Sequence, residues 1–414
     1  MKLAIVSPYP PSKGTLNEYA FHLVQNLKLK SEIDEIIILT DTINETYPEE
    51  EPHGNCKITI DPCWTFNSLF NFLKIRSAVK KHKADIVLFN IQFLSFGDSK
   101  IAGAVGLLTP VFTRIMGTPS VSLLHNITET VDYESAGITK NPILKSIYNM
   151  IGTILTKVIL MSNLLTVTMP KYVNILEKKY GAKNVALIPH GSFEVPELPK
   201  EVTTKKKQIM TFGKFGTYKK VEELIEAIEI VRKRTGEELE IVIAGTDNPN
   251  VKGYLKGVQE KYKDVKDMVF TGYVEEEDVP RIFTESTVVV FPYTSTTGSS
   301  GVLHQAGSYG KAVVLPNIGD LKELIEEEGY RGEYFEPNDV EGLADAIELL
   351  VTNDERRKAV GEANYAAAAS LPMEDIADWY LLHFETIIKS KNRPHRSEQM
   401  PMNSSTSLEP VLIQ

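Results

Sequence analysis

Three stretches of the sequence place small, polar or cationic residues directly before an amphipathic run. Each could hold an anion or a polyhydroxyl ligand there. In MTFGKFGTYKKVEELIEAIEIV (210–231), Lys214, Lys219 and Lys220 precede a helical pattern that starts near Val221, after a strand ending in Gly213. Cations before a helix N-terminus are electrostatically unfavourable unless an anion lies between them. A diphosphate would satisfy both the lysines and the helix dipole; a solvated lysine cluster is the plain alternative. In YTSTTGSSGVLHQAGSYGKAVVLP (293–316), the only titratable side chain between Tyr293 and Lys311, tyrosines aside, is His304. Ser299, Ser300 and Gly301 precede a helix expected from about Val302. Their amides and hydroxyls offer donors and acceptors without filling space, although a Ser-capped turn would read the same way. In SPYPPSKGTLNEYAFHLVQNL (7–27), Gly14 permits close backbone approach to a ligand ahead of a helix opening near Thr15 or Asn17. An ordinary strand-to-helix turn would need no more. His125 in SLLHN and His190 in LIPHG each close a strand-like run. A lone histidine is more often structural; two at strand ends of one domain weigh toward a site.

These loops need elements to hold them. Short apolar runs at Leu3–Ser7, Glu35–Thr40, Asp85–Asn90, Val121–His125, Leu164–Met169 and Val185–Pro189 alternate with amphipathic stretches such as Tyr19–Leu29 and Leu69–Lys81. Continuous apolar strands separated by helices predict parallel strands covered on both faces. A Pro- and charge-rich segment, Glu194–Gln208, reads as a linker, after which the pattern restarts. Ile209–Gly213, Glu240–Gly245, Met268–Gly272, Thr287–Pro292 and Ala312–Leu315 are again strand-like. The expectation is α/β: two doubly wound domains, 1–193 and 194–372, facing each other across a cleft at their strand carboxyl ends. Met373–Lys389 reads as one amphipathic helix, and residues 391–414 as a polar, disordered tail.

Bulk properties narrow the function. The 414 residues carry a formal net charge of −10, which argues against general nucleic-acid binding. Cys56 and Cys63 form neither a CxxC motif nor a Cys/His cluster, so neither zinc nor a disulfide framework is expected, in keeping with a reducing compartment. No GxGxxG with a following acidic residue comes after the first strand, which disfavours a dehydrogenase. The N-terminus lacks a signal-peptide pattern, and no stretch reaches the roughly 18–20 apolar residues of a membrane-spanning helix. A cytoplasmic protein is expected, in contact with the inner face of a membrane if it meets one. Two segments bear on that contact. CWTFNSLFNFLKIRSAVKKHK (63–83) mixes Trp64, Phe66, Phe70 and Phe72 with lysines and an arginine; ILKSIYNMIGTILTKVILMS (143–162) is strongly apolar. Both suit an anionic membrane surface or a lipid-linked acceptor, and both could equally be core-facing helices.

Taken in order and spacing, these residues resemble the retaining GT-B glycosyltransferases of family 4, over roughly residues 1–390 and most strongly from Leu187 to Ala346. Gly14 stands in the loop after the first strand, and His125 at the mid-domain strand end that lies near the donor sugar. IPHG, with His190 and Gly191, precedes the second domain. GKFGTYKK places Lys214 and Lys219 at the two cations that grip a sugar nucleotide's diphosphate, with Lys220 where a glycine is usual. IVIAG and VFTGYV follow; Tyr273 and Val274 stand where the nucleotide base is met. GKAVVLPNIGDLKELI matches the run after the paired glutamates, with Ala312 for its proline. Counting back from Gly310 puts Gln305 at the second glutamate and Thr297 at the first. The resemblance implies that the Ser299–Val302 amides meet sugar hydroxyls and phosphate, and that Gln305 accepts from ribose through its amide oxygen. It implies a metal-independent, retaining hexosyltransferase for a nucleotide-sugar donor and a glycan, lipid-linked or small-molecule acceptor, with no cofactor. The missing carboxylates leave two alternatives: a non-catalytic sugar-nucleotide or glycan binder, or a phosphorylase using the same cleft.

Overall fold

The computed structural model describes residues 1–131, 134, 139–198, 205–248, 251–295 and 298–392. The chain begins with β1 (Lys2–Val6), α1 (Asn17–Leu27), β2 (Glu35–Asp41), β3 (Lys57–Trp64), α2 (Asn71–His82) and β4 (Ile86–Ile91). It continues through α3 (Lys100–Gly106), α4 (Thr109–Ile115), β5 (Ser120–Leu124), α5 (Pro142–Ile159), β6 (Leu164–Val167), α6 (Pro170–Tyr180) and β7 (Val185–Leu187). Among the described residues these strands form one parallel sheet in the order β3-β2-β1-β4-β5-β6-β7. Its strands are apolar on both faces because both are covered. Leu3, Ile5, Ile36 and Ile38 pack toward α1, while Ala4, Val6, Ile37 and Leu39 pack with Ile75 and Val79 of α2.

The second half contains β8 (Lys207–Phe215), α7 (Glu222–Thr235), β9 (Leu239–Asp247), α8 (Tyr254–Lys261), β10 (Met268–Gly272), α9 (Val279–Glu285) and β11 (Val288–Val290). Then come α10 (Gly301–Ser308), β12 (Ala312–Pro316), α11 (Gly319–Glu328), β13 (Glu333–Phe335), α12 (Val340–Thr352), α13 (Asp354–Ala369) and α14 (Met373–Asn392). The second sheet is also parallel, in the order β10-β9-β8-β11-β12-β13. Strand order reverses between β1 and β4 in one sheet and between β8 and β11 in the other. Such reversals open a crevice at the strand carboxyl ends, and the loops singled out in the sequence lie there.

The last helix returns to the first half. Ser192 pairs with Pro372, and α14 buries Ile376, Tyr380 and Phe384 beside α1. Each such side chain contributes about 1.5–3 kcal/mol of burial. Gly191 makes the crossing with φ of 76°, and a Cβ there would stand 2.5 Å from Ile376 Cγ1.

Several boundaries differ from the sequence reading. Lys214 lies on β8, which runs on to Phe215, and the linker gives way to strand at Lys207. The helix expected from Val302 begins at Gly301, and the run Thr287–Pro292 shortens to Val288–Val290. β3 was not read from the sequence: Ile58 and Ile60 alternate with Lys57, Thr59 and Asp61, but the pattern is short and runs into Pro62, which an edge strand tolerates. Trp64 therefore ends a strand and is buried in the core, donating its indole N–H to the Leu39 carbonyl at 3.1 Å; it is not part of an aromatic surface. α14 extends to Asn392, and residues 393–414 of the expected tail lie outside the described residues.

Candidate functional site

The lysine loop is built by two glycines that only a missing Cβ allows. Gly213 and Gly216 adopt φ of 136° and 108°, and a Cβ on Gly213 would stand 2.7 Å from Lys219 Nζ. The loop folds back through Gly216 N–H to the Lys219 carbonyl at 2.9 Å. It is stitched to the chain leaving β11: Thr294 N–H donates to the Tyr218 carbonyl, Lys220 N–H to the Pro292 carbonyl, and Lys219 bridges Tyr293. The Lys219 ammonium lies 4.6 Å from the centre of the Tyr293 ring. Neither Lys214 nor Lys219 has a carboxylate in ion-pair contact among the described residues. Desolvation lowers Lys219 to about 8, and the neighbouring charge of Lys214 pushes the same way. Lys214 is lowered by desolvation too, with the Glu18 carboxylate opposing. Two cations held side by side without a counterion form a site whose strain an anion relieves.

The second loop meets this pair at α10. Gly298, at φ 79°, passes so close to the first domain that a Cβ would stand 2.6 Å from the His125 carbonyl oxygen. Its N–H donates to Tyr172 Oη at 2.7 Å and Asp320 Oδ2 at 3.0 Å, while Tyr172 O–H donates to the same carboxylate. Lys171 pairs with Asp320 at 3.2 Å and Glu323 at 2.7 Å. The loop is thereby held by both domains. Ser300 caps α10 by backbone geometry, with no side-chain capping bond, and first-turn amides such as those of Gly301 and Val302 take no intrahelical acceptor. The buried Ser299 Oγ has no partner among the described residues, nor do Asn126 Oδ1 and Thr217 Oγ1. Thr297 lies outside the described residues.

His125 sits just past β5, and its environment sets its tautomer. Asn90 commits its amide N–H groups to Ser7 Oγ and the Leu16 carbonyl, so its Oδ1 accepts from His125 Nε2–H at 2.7 Å. Burial holds the imidazole well below its usual pKa, so it is neutral. His190 is lowered by burial to about 4 and stacks on His304 at 4.9 Å, nearly parallel. His304 in turn contacts Tyr330 Oη at 2.9 Å and lies 3.5 Å from Glu328, whose carboxyl burial raises to about 8. The two histidines at strand ends are thus brought together with the α10 loop, Gly301 lying beside the His190 ring.

Gln305 is 9% exposed, and its amide makes no hydrogen bond among the described residues. It faces a 240 Å³ cavity between the domains, lined also by His22, Phe193, Glu276 and Tyr309. Tyr273 is exposed, with the Lys13 ammonium 4.1 Å from its ring centre, and the Val274 side chain packs into the core. Gly14 is pressed against Pro8 and accepts little else: a Cβ there would stand 2.7 Å from Pro8 Cβ. A larger hollow of 740 Å³ lies over β3 and the 42–52 loop, and none of the residues singled out in the sequence lines it. Sequence reasoning missed Glu18, Tyr172 and Asp320, and noted His304 without giving it a role. Glu18 and Asp320 sit in the first turns of helices, where acids are common for the dipole alone. Nothing local marks Tyr172.

Residues 196–367 match the family described as Glycosyl transferases group 1. The chain is 26% identical over 182 residues to the O-antigen chain mannosyltransferase C of Escherichia coli, a match covering 44% of this chain and 47% of that one. It is 33% identical over 97 residues to the sulfoquinovosyl transferase SQD2 of Arabidopsis thaliana, covering 23% of this chain and 19% of that one. The matches thus span less than half the length of either relative. Among solved structures, a sucrose-phosphate synthase from Thermosynechococcus elongatus superposes with a TM-score of 0.72 at 15% identity, over 94% of this chain and 100% of that one. Anabaena HepE, in complex with UDP and glucose, gives 0.66 at 14% identity, over 93% and 100%. The fold is GT-B. The strand pattern predicted its two parallel-sheet domains, and the family resemblance implied the GT-B architecture.

Proposed function

We propose that this protein is a glycosyltransferase that moves a sugar from a nucleoside diphosphate to an acceptor hydroxyl with retention of configuration. The observation that carries this reading is the Lys214–Lys219 pair, without a carboxylate in ion-pair contact among the described residues and joined through Tyr293 and Thr294 to the loop that ends at α10. The relatives named as mannosyl and sulfoquinovosyl transferases and the neighbour holding UDP and glucose support it.

As the bond between the anomeric carbon and the diphosphate breaks, its electron pair goes to the leaving phosphate oxygen. Lys214, Lys219 and the amides at the start of α10 stabilise that charge without reorganisation and without a metal ion. The acceptor hydroxyl attacks on the face the diphosphate leaves and gives its proton to the departing phosphate. Neutral His125, its Nε2–H committed to Asn90, leaves Nδ1 as an acceptor for a sugar hydroxyl. Gln305 offers its unpaired amide to the ribose. Gly14, Tyr273, Val274, Ser299 and Ser300 complete the donor pocket. Closure of the two domains excludes water from the cationic sugar centre.

Calorimetric titration with UDP, GDP and ADP tests the reading. One nucleotide should bind the wild type and not the Lys214→Ala/Lys219→Ala variant, and its sugars should then be turned over. If none of the three binds, the reading fails.

A further inference from the structure

α5 is built inside out. Its buried residues are Gly152, Thr156 and Ile159, a mostly small and polar stripe. On the opposite side Ile143, Ile147, Met150, Ile151 and Ile154 are exposed, with Ile143 at 69% and Ile154 at 54%. At 100° per residue these five fall on one face. A soluble helix normally turns such a stripe to the core.

The exposed stripe belongs to a larger surface. α4 packs between α2 and α5, and Lys100 of α3 reaches Tyr148 of α5. Ile101 and Ile115 are exposed on this layer, as are Phe66 and Phe70 just before α2. The charge is one-sided. α2, α3, α4 and α5 contain no aspartate or glutamate, in a chain of net charge −10. Lys74, Lys80, Lys83 and Lys157 are exposed with no carboxylate in ion-pair contact among the described residues. The acids that face the layer come from outside these helices: Glu134 pairs with Lys145, Asp61 with Lys81, and Asp98 accepts from Asn67. No helix among the described residues is long and apolar enough to cross a membrane.

We propose that this face docks on the surface of an anionic lipid bilayer, with α5 lying in the interfacial plane and the lysines of α2 and α5 over the headgroups. Exposed isoleucines and methionine supply the apolar insertion, and unpaired lysines the attraction to anionic lipid. Neither half depends on sugar transfer, so the proposal stands or falls apart from the function argued above.

The test is co-sedimentation of the full chain with phosphatidylcholine vesicles, with and without roughly 30 mol% phosphatidylglycerol. The wild type should partition to the anionic vesicles and be released by salt. Ile143→Asp/Ile154→Asp and Lys74→Glu/Lys80→Glu should each lower partitioning by about tenfold or more, with circular dichroism and nucleotide titration unchanged. Equal partitioning to neutral and anionic vesicles, or none to either, overturns the proposal. So does light scattering that shows a wild-type dimer which Ile143→Asp/Ile154→Asp converts to monomer, because a second copy would then cover the face.

Discussion

The β1–α1 and β8–α7 loops occupy equivalent places in the two halves, each at the reversal of strand order and each leading into a helix. Their chemistry differs. In the first, Ser12 donates to Asp41 at 2.8 Å, Asn17 donates back to the Ser12 carbonyl, and Lys13 faces Glu275 at 3.7 Å. Its polar groups are largely spoken for. In the second, burial lowers the pKa of Lys214 and Lys219, the Glu18 carboxylate only partly opposes this at Lys214, and neither lysine has a carboxylate in ion-pair contact among the described residues. Equivalent topology therefore supplies two sites at strand ends, and charge left without a partner shows which one awaits an anion.

That contrast can be broken most severely at the lysines. Lys214→Ala/Lys219→Ala should lower kcat for sugar transfer by at least about 10²–10³, read by donor turnover, while thermal stability holds or rises. Gly298→Ala should come next. The left-handed backbone costs about 1–2 kcal/mol for a side chain, and the clash with the His125 carbonyl adds to it, so a thermal melt should drop and nucleotide affinity with it. A pH series sharpens the comparison. Free Lys219 loses its proton above about 8, so nucleotide affinity should fall by up to about tenfold per pH unit above that point. Lys219→Met should flatten the profile. For the empty protein the sign is opposite: the unfolded lysine, at 10.5, binds more protons than the folded one between 8 and 10.5, so stability rises with pH there. The first loop should respond least. Ser12→Ala should cost about 1 kcal/mol in a denaturant melt, with nucleotide affinity unchanged within error.

The buried histidines titrate in a different window. The His190 pKa is depressed to about 4, so the unfolded chain binds more protons as pH falls below about 6.5. The share of stability that His190 contributes is therefore full above that value and should fall by up to about 1.4 kcal/mol per pH unit below it, and His190→Asn should remove that share from a series of urea melts while the buried His125 and His304 keep theirs.

Much of the architecture was legible in residue order. Continuous apolar runs such as IIILT and IVLFN predicted parallel strands covered on both faces, and the two sheets bear that out. Lys214 and Lys219 were singled out as cations expected after a strand, although Lys214 lies on β8 itself, and His125 and His190 by their place at strand ends. These signals are local: side-chain period, turn chemistry and the charge expected near a helix start. Whether a charge has a partner is not local. The tertiary structure alone brought Tyr172 and Asp320, 148 residues apart, onto the Gly298 amide, stacked His190 on His304, and left Gln305 facing a cavity without a hydrogen-bond partner among the described residues. It also decided the orientation of α5. The sequence determined that the helix is amphipathic; only the packing of its small face inward revealed that its apolar face has none of the described residues packed over it, because periodicity defines a stripe and not what lies opposite.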